Sequence, residues 1–302
     1  MNNKVVIIGC GNVGMSYAYS IVNQRTYVNE LVLIDMNQDK VMGEVMDLNH
    51  SLAYAPSKLN IKAGTYDDCK DARIVMIAAG ANQKPGETRL DLLNKNTAIF
   101  KDIIGKVMNS GFNGIFLIAT NPVDIMTFIT WKYSGLPANR VIGSGTSLDT
   151  ARLHYMVGQK LEINPKDIDA FVIGEHGDSE FIPWSNANIS LQNIRVFLDE
   201  TEMEAIEKEV REAAYKIINY KGATYYGIGM ALTSITNSIL GDENLIYSVS
   251  VYDKQNNIFF GCPAVVGKRG IKQKIYLKLT NVEEQKLLNS IDIIKSNINL
   301  IK

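Results

Sequence analysis

Residues 4–14 read KVVIIGCGNVG, in which a Val/Ile run typical of a strand buried on both faces precedes three glycines in the spacing G-x-G-x-x-G. In a strand–turn–helix context the first glycine permits a tight turn, the second lets a ligand approach the backbone, and the third lets the helix pack on the strand. The helix N-terminus then presents free amides to phosphate groups. The stretch predicts a dinucleotide site, with S-adenosylmethionine binding or a purely structural turn as alternatives. The residues predicted to form this site are Gly9, Gly11, Asn12, Val13 and Gly14.

Asp35 ends the next apolar run, ELVLID (30–35), and lies 21 residues after the last glycine of the loop. A carboxylate at this place can accept hydrogen bonds from both ribose hydroxyls, and it would repel a 2′-phosphate. Met36 follows it, with no arginine beside it to bind an extra phosphate. The pattern therefore indicates NAD rather than NADP as the cofactor.

Short apolar runs alternate with helical patterns through the first half of the chain, which predicts an α/β fold with a doubly wound parallel sheet of the Rossmann type. The runs lie at 4–9, 30–35, 73–80 and 114–121, and the helical patterns at 12–24, 39–52 and 90–110. The second half predicts a mixed α+β unit, because its strand candidates are more closely spaced. These candidates lie at 168–174, 244–252, 257–265 and 274–280. We expect an NAD-binding domain at 1–143 and a substrate-binding, catalytic domain at 144–302.

Composition argues against several classes of partner. The chain has 302 residues, and its 31 basic and 32 acidic residues give a net charge of −1 without a block of like charge. We therefore expect no nucleic-acid groove and no attachment to an anionic membrane surface. No apolar run approaches the roughly 18 residues of a membrane-spanning helix. The three cysteines are far apart, without disulfide or metal-site spacing, which indicates a reducing, cytoplasmic location.

Polar residues follow two of the predicted strands, at the ends where parallel sheets usually bind ligands. The stretch AAGANQKPGETRLDLL (78–93) contains Arg89 at a predicted helix start, where the helix dipole opposes a cation. An anionic partner would explain that arginine, and so would simple solvation. Asn121, in TNPVD after the next strand, can donate to and accept from a ligand, or can form an ordinary Asn-Pro turn.

Two further stretches carry side chains suited to acid–base chemistry. In GTSLDTARLH (145–154), Asp149 and Arg152 are three residues apart and share one helical face. Spacing alone favours a surface ion pair for them, although the aspartate could orient a histidine and the arginine could bind a carboxylate. In GEHGDSE (174–180), His176 lies in a loop bounded by glycine. A histidine there can exchange a proton near neutral pH, or can be an inert loop residue.

Taken together, these stretches resemble the sequence motifs of the L-lactate dehydrogenase family. The wider group includes malate dehydrogenases and branched-chain 2-hydroxy acid dehydrogenases. The resemblance spans nearly the whole chain and is carried by GCGNVG, Asp35, GANQKPGETRLDLLNKN, ATNPVD, GSGTSLDTAR, GEHGDSE and KGATYYGIGMAL. It implies an NAD-dependent enzyme that interconverts pyruvate and L-lactate, without a metal, as a homotetramer.

The resemblance also implies a role for individual residues. His176 would give and take the substrate proton, with Asp149 orienting its ring. Arg152 would bind the substrate carboxylate, and Arg89 would polarise the ketone as negative charge grows on its oxygen. The further implied contacts are Gln83, Asn121 and Thr224 for the substrate, and Gly80, Ala81 and Asn121 for the cofactor.

Gln83 is the residue that bears on substrate choice. Lactate dehydrogenases resemble this chain at that position, whereas malate dehydrogenases usually have arginine there, which would pair with the second carboxylate of oxaloacetate. A neutral amide leaves such a carboxylate unpaired, so pyruvate is the expected substrate. A dehydrogenase for larger 2-oxo acids, a malate dehydrogenase and a non-catalytic NAD-binding redox sensor are the alternatives.

Many bacterial relatives are activated by fructose 1,6-bisphosphate through an arginine and a histidine. At the corresponding positions this chain has His154 and Asp169. Because aspartate repels phosphate, we do not expect that activation here.

Overall fold

The computed structural model describes residues 3–81 and 89–301, without the side chain of Arg89. Gln83 and the side chain of Arg89 therefore lie outside the described residues. The strands are β1 (Lys4–Ile8), β2 (Glu30–Ile34), β3 (Asn60–Ala63), β4 (Ile74–Ile77), β5 (Ile115–Ile118), β6 (Val141–Gly143), β7 (Ile168–Asp169), β8 (Asn188–Ile189), β9 (Gln192–Asn193), β10 (Leu245–Asp253), β11 (Ile258–Gly267) and β12 (Gly270–Lys274). The α-helices are α1 (Asn12–Asn23), α2 (Gln38–Ser51), α3 (Arg89–Asn109), α4 (Val123–Ser134), α5 (Ser147–Leu161), α6 (Glu200–Lys221), α7 (Tyr226–Gly241) and α8 (Asn281–Asn299).

One large sheet runs through both halves of the chain, in the strand order β12-β11-β10-β6-β5-β4-β1-β2-β3. The strands β1 to β6 are parallel to one another, as the alternation of strands and helices predicts. The antiparallel strand β10 continues this sheet through the pairing of Ser250 with Gly143. The second half therefore extends the first sheet, and β7 to β9 form a small sheet of their own.

Both faces of the large sheet are covered, because alternate strand residues point to opposite sides. In β1, Val5 and Ile7 join a core cluster that includes buried residues of α1, α2 and α7. Their neighbours Val6 and Ile8 join a second cluster, with buried residues of α3 and α4. The continuous apolar run in β1 thus follows from burial on both sides, and the doubly wound α/β fold is confirmed.

Two strand predictions in the second half were wrong in their bounds. The reversal after β11 is so tight that the returning strand β12 starts at Gly270, whose φ is +90°, and not at residue 274. The predicted strand at 168–174 is regular only over Ile168–Asp169, because its remainder turns to enter the histidine loop. Within the described part of the chain, no helix is both long and apolar enough to cross a bilayer.

Candidate active site

The glycine loop after β1 is shaped by close packing at two of its glycines. Gly9 has a φ of +104°, and a Cβ atom there would lie 2.4 Å from the Ala79 amide nitrogen. A Cβ on Gly14 would lie 2.0 Å from the Gly9 carbonyl oxygen. At Gly11, by contrast, nothing lies within 4 Å of the added atom. The first and third glycines are thus required by packing, and the second faces open space.

The N-terminus of α1 and the end of β2 meet beside this open space. Gly11 is the N-cap of α1 and its helix has no side-chain cap, so the first amides of the helix are free to bind phosphate oxygens. Asp35 Oδ2 accepts a hydrogen bond of 2.8 Å from the Cys10 amide, and Asp35 Oδ1 accepts one of 3.0 Å from the Asn37 amide. These residues fit a dinucleotide, with the pyrophosphate at the helix and the ribose at the carboxylate.

Asn96 joins the loops that follow β4 and β5. Its Oδ1 accepts a hydrogen bond of 2.8 Å from the Ala81 amide, and its Nδ2 donates to the Asn121 carbonyl at 3.5 Å. A Cβ on Gly80 would lie 2.8 Å from a methyl carbon of Thr120, so these two loops are also in close contact. Sequence reasoning missed Asn96, although it lies within the motif LDLLNKN. Asn96 thus connects the two loops that carry the predicted residues Gly80, Ala81 and Asn121.

Asp149 binds both of its predicted partners. Its Oδ2 lies 2.6 Å from Nδ1 of His176, and its Oδ1 accepts a hydrogen bond of 2.7 Å from Nη1 of Arg152. The exposed fractions of the side chains are 1% for Asp149, 11% for Arg152 and 23% for His176. The ion pair that spacing alone favoured is therefore present, but the prediction that it lies on the surface is wrong. The two cations lie on opposite oxygens of one buried carboxylate.

The loop that holds His176 is fixed to β11 and to α4, and β10 in turn holds the α4 residue that binds it. Gly174 exchanges two backbone hydrogen bonds of 2.8 Å with Gly261 of β11. The His176 amide donates to Asp124 Oδ2 of α4 at 2.8 Å, and Ser250 of β10 donates to Asp124 Oδ1 at 2.6 Å. Sequence reasoning missed Asp124 and Ser250, although Asp124 is the last residue of the quoted TNPVD motif. The loop is thus held by its backbone, which leaves the histidine ring to Asp149.

Charges around His176 favour its protonated form. Burial lowers the pKa of His176, but the negative charge of Asp149 and the hydrogen bond with it raise that pKa to about 9 overall. Burial raises the pKa of Asp149, but the positive charge of His176, the hydrogen bond with it and Arg152 lower it below the usual value. The direct 2.6 Å contact between Nδ1 and Oδ2 is a hydrogen bond, which is too short for a metal ion to bridge the two atoms. The pair is therefore built to hold a proton.

The other predicted residues differ in what surrounds them. Thr224 lies, partly buried, in the connection between α6 and α7, and its side chain has no hydrogen bond to another described residue.

At the position where an activator would bind, His154 Nε2 lies 2.7 Å from the Ala170 carbonyl oxygen, and burial lowers the pKa of His154. Asp169 is exposed beside it. A neutral ring and a carboxylate offer no positive charge to a sugar bisphosphate at this place.

Family models and known proteins match the chain over nearly its full length. Residues 3–143 match the family model described as lactate/malate dehydrogenase, NAD binding domain, and residues 146–302 match its alpha/beta C-terminal domain. An L-lactate dehydrogenase of Halalkalibacterium halodurans is 50% identical over 297 residues, which cover 97% of this chain and 96% of that protein. L-lactate dehydrogenase 2 of Bacillus cereus is 48% identical over 306 residues, which cover 98% of this chain and 97% of that protein.

Solved structures agree with these matches. The crystal structure of a lactate dehydrogenase from a Medee basin deep-sea metagenome library is 50% identical in sequence, with a TM-score of 0.97, and the match covers 99% of this chain and 98% of that one. The ligand-bound minor L-lactate dehydrogenase of Enterococcus mundtii is 42% identical, with a TM-score of 0.97 over 100% and 99% of the two chains.

Proposed function

The chain belongs to the lactate/malate dehydrogenase family, and we propose that within it the chain is an NAD-dependent L-lactate dehydrogenase. The observation that carries the proposal is the buried carboxylate of Asp149, bound on one oxygen by His176 and on the other by Arg152. A proton donor and a carboxylate-binding cation thus lie side by side, as a small 2-oxo acid requires. The glycine loop and Asp35 would hold the cofactor beside them.

Each side chain then has a distinct task. The nicotinamide cofactor, when bound, supplies or accepts the hydride. His176 gives its proton to the ketone oxygen in reduction and takes it from the hydroxyl in oxidation, and Nε2 is its ring nitrogen without a hydrogen bond to a described residue. Asp149 stabilises the imidazolium and fixes the ring. Arg152 binds the substrate carboxylate with the N–H groups that it does not direct to Asp149.

A spectrophotometric assay of NADH loss tests the proposal directly. We expect turnover with pyruvate and poor turnover with oxaloacetate and 2-oxoisocaproate. A preference for 2-oxoisocaproate would indicate a dehydrogenase for larger 2-oxo acids. Binding of NADH without oxidation by any 2-oxo acid would indicate the redox-sensor alternative and contradict the proposed function.

We predict that Gln83→Arg shifts the preference from pyruvate toward oxaloacetate. The new cation would pair with the second carboxylate of oxaloacetate, which the amide leaves unpaired. The ratio of kcat/KM for oxaloacetate to kcat/KM for pyruvate should therefore rise at least about tenfold. The measurement is the ratio for the variant and for the unaltered protein in the same buffer. Gln83→Asn is the matched control, because it keeps a neutral amide. An unchanged ratio in Gln83→Arg would refute the role given to Gln83.

We further predict opposite pH dependences for the two directions of the reaction. The pKa of His176 is raised to about 9, so the ring is protonated below that pH and neutral above it. Pyruvate reduction needs the protonated ring, and its kcat/KM should fall as the pH rises through about 9. Lactate oxidation needs the neutral ring and should rise over the same interval. Two profiles with the same slope would contradict His176 as the group that carries the proton.

The assembly and the location belong to the proposal as well. Homotetramer formation and a cytoplasmic location stay predictions, and so does the boundary between the NAD-binding and catalytic domains at residue 143. Size-exclusion chromatography with light scattering would measure the number of subunits.

A further inference from the structure

Glu180 is a buried carboxyl group that the proposed reaction does not use. Its side chain is only 6% exposed, and its Oε2 lies 3.9 Å from Nδ1 of His176. Ligand atoms of Asp149, His176 and Glu180 all lie within 4.8 Å of one another. Two carboxyl groups therefore share one buried space beside a single imidazole.

The backbone holds Glu180 in this place. Ile173 and Phe181 exchange two backbone hydrogen bonds, of 2.9 and 3.0 Å, and so close the loop on both sides of residues 174–180. The Glu180 amide donates to the Gly177 carbonyl at 3.2 Å. Glu180 directly precedes Phe181, so these hydrogen bonds hold the Glu180 backbone close to His176.

We propose that Glu180 is a positioning residue that keeps its proton and donates it in a hydrogen bond to Asp149. Two carboxylates this close in a buried site cannot both ionise at low cost, and one of them retains a proton. Asp149 is the better anion, because it already accepts hydrogen bonds from His176 and Arg152. A protonated Glu180 supplies the third donor to the same carboxylate.

The direction of the pKa shifts agrees with this geometry. Burial raises the pKa of Glu180 well above its usual value, and the negative charge of Asp149 raises it further. The positive charges of His176 and Arg152 oppose this rise but do not cancel it. A hydrogen bond from Glu180 is in turn among the causes that lower the pKa of Asp149.

A neutral Glu180 would also favour the binding of an anionic substrate, an argument that rests on the proposed function. With the ring protonated, His176 and Arg152 carry two positive charges and Asp149 one negative charge. Among these four side chains, a neutral Glu180 leaves one net positive charge to face a substrate with a single carboxylate. An ionised Glu180 would make these four side chains neutral together, which would weaken their attraction for an anion.

Glu180→Gln distinguishes a protonated Glu180 from an ionised one. Glutamine has the shape of the neutral acid and keeps a donor, so kcat/KM for pyruvate should stay within about threefold. The pH at which kcat/KM for pyruvate reduction falls on the alkaline side should not change. If Glu180 is ionised in the unaltered protein, Glu180→Gln removes a negative charge near His176 and moves that pH down by about one unit or more. That shift would overturn the proposal.

Glu180→Leu tests the positioning role, because it removes the donor and keeps the bulk. Loss of a hydrogen bond to a charged group should lower kcat/KM for pyruvate roughly 10- to 100-fold, with NADH affinity unchanged. Unaltered kcat/KM in Glu180→Leu would refute the role. The proton itself is measured without any turnover: infrared difference spectra of the unaltered protein and Glu180→Gln should show a protonated carboxyl band that the variant lacks. Absence of that band contradicts the proposal, whatever substrate the enzyme uses.

Discussion

Replacement of His176 by asparagine is expected to lower kcat for pyruvate reduction by roughly 10²–10⁴-fold, the usual contribution of a positioned general acid. Asparagine can still donate a hydrogen bond to Asp149, but its amide has no proton to give to a ketone oxygen at neutral pH. Proton transfer would then depend on water. Steady-state NADH oxidation at saturating pyruvate measures the loss.

The control for this variant is His50→Asn, because His50 is an exposed histidine in the last turn of α2. Its kcat should match that of the unaltered protein. NADH affinity, measured by fluorescence titration, should be unchanged in both variants, since the proposed cofactor site is formed by the glycine loop and Asp35. Near-normal turnover of His176→Asn would remove His176 from the mechanism.

The fold could be predicted because its signals are local. The run VVII (5–8) is apolar at every position, which burial on both faces explains, and β1 is buried throughout. The glycines after it are required where the backbone turns at Gly9 and where α1 packs at Gly14. Local signals could not show that β10 pairs with β6, because the two strands are far apart in the chain. Through this pairing one sheet crosses the expected domain boundary.

The site could be predicted only in part, because burial is not a local property. The spacing of Asp149 and Arg152 is the same for a surface pair and for a buried one. The difference comes from His176, 27 residues further along the chain, whose loop covers the carboxylate. Resemblance to a known family indicated this arrangement, and the residue spacing did not.

The residues that sequence reasoning missed act across long separations. The hydrogen bond from the His176 amide to Asp124 spans 52 residues, and that from Ser250 to Asp124 spans 126. No periodic pattern in the chain records such contacts. Glu180 lies in the quoted stretch GEHGDSE, but its burial against Asp149 depends on the same long-range closure of the loop.

Arg152→Gln is expected to lower kcat/KM for pyruvate by roughly 30- to several-thousand-fold, since truncation of one partner of a buried, hydrogen-bonded charge pair costs about 2–5 kcal/mol. Most of the loss should appear in KM, because in the proposed role the guanidinium would bind the carboxylate equally in the substrate and in the transition state. The variant also leaves Asp149 Oδ1 without its 2.7 Å charged donor, so a smaller fall in kcat should accompany it.

Arg152→Lys separates the charge from the geometry of the guanidinium. Lysine keeps the positive charge but cannot direct two parallel N–H groups at a carboxylate, so its kcat/KM should lie between those of the unaltered protein and Arg152→Gln. Arg195→Lys is the matched control, because Arg195 pairs with Glu200 at 3.0 Å on the exposed surface, where such pairs contribute little. Equal kcat/KM values for Arg152→Lys and the unaltered protein would mean that charge alone suffices, and an unaltered KM in Arg152→Gln would mean that the substrate carboxylate is bound elsewhere.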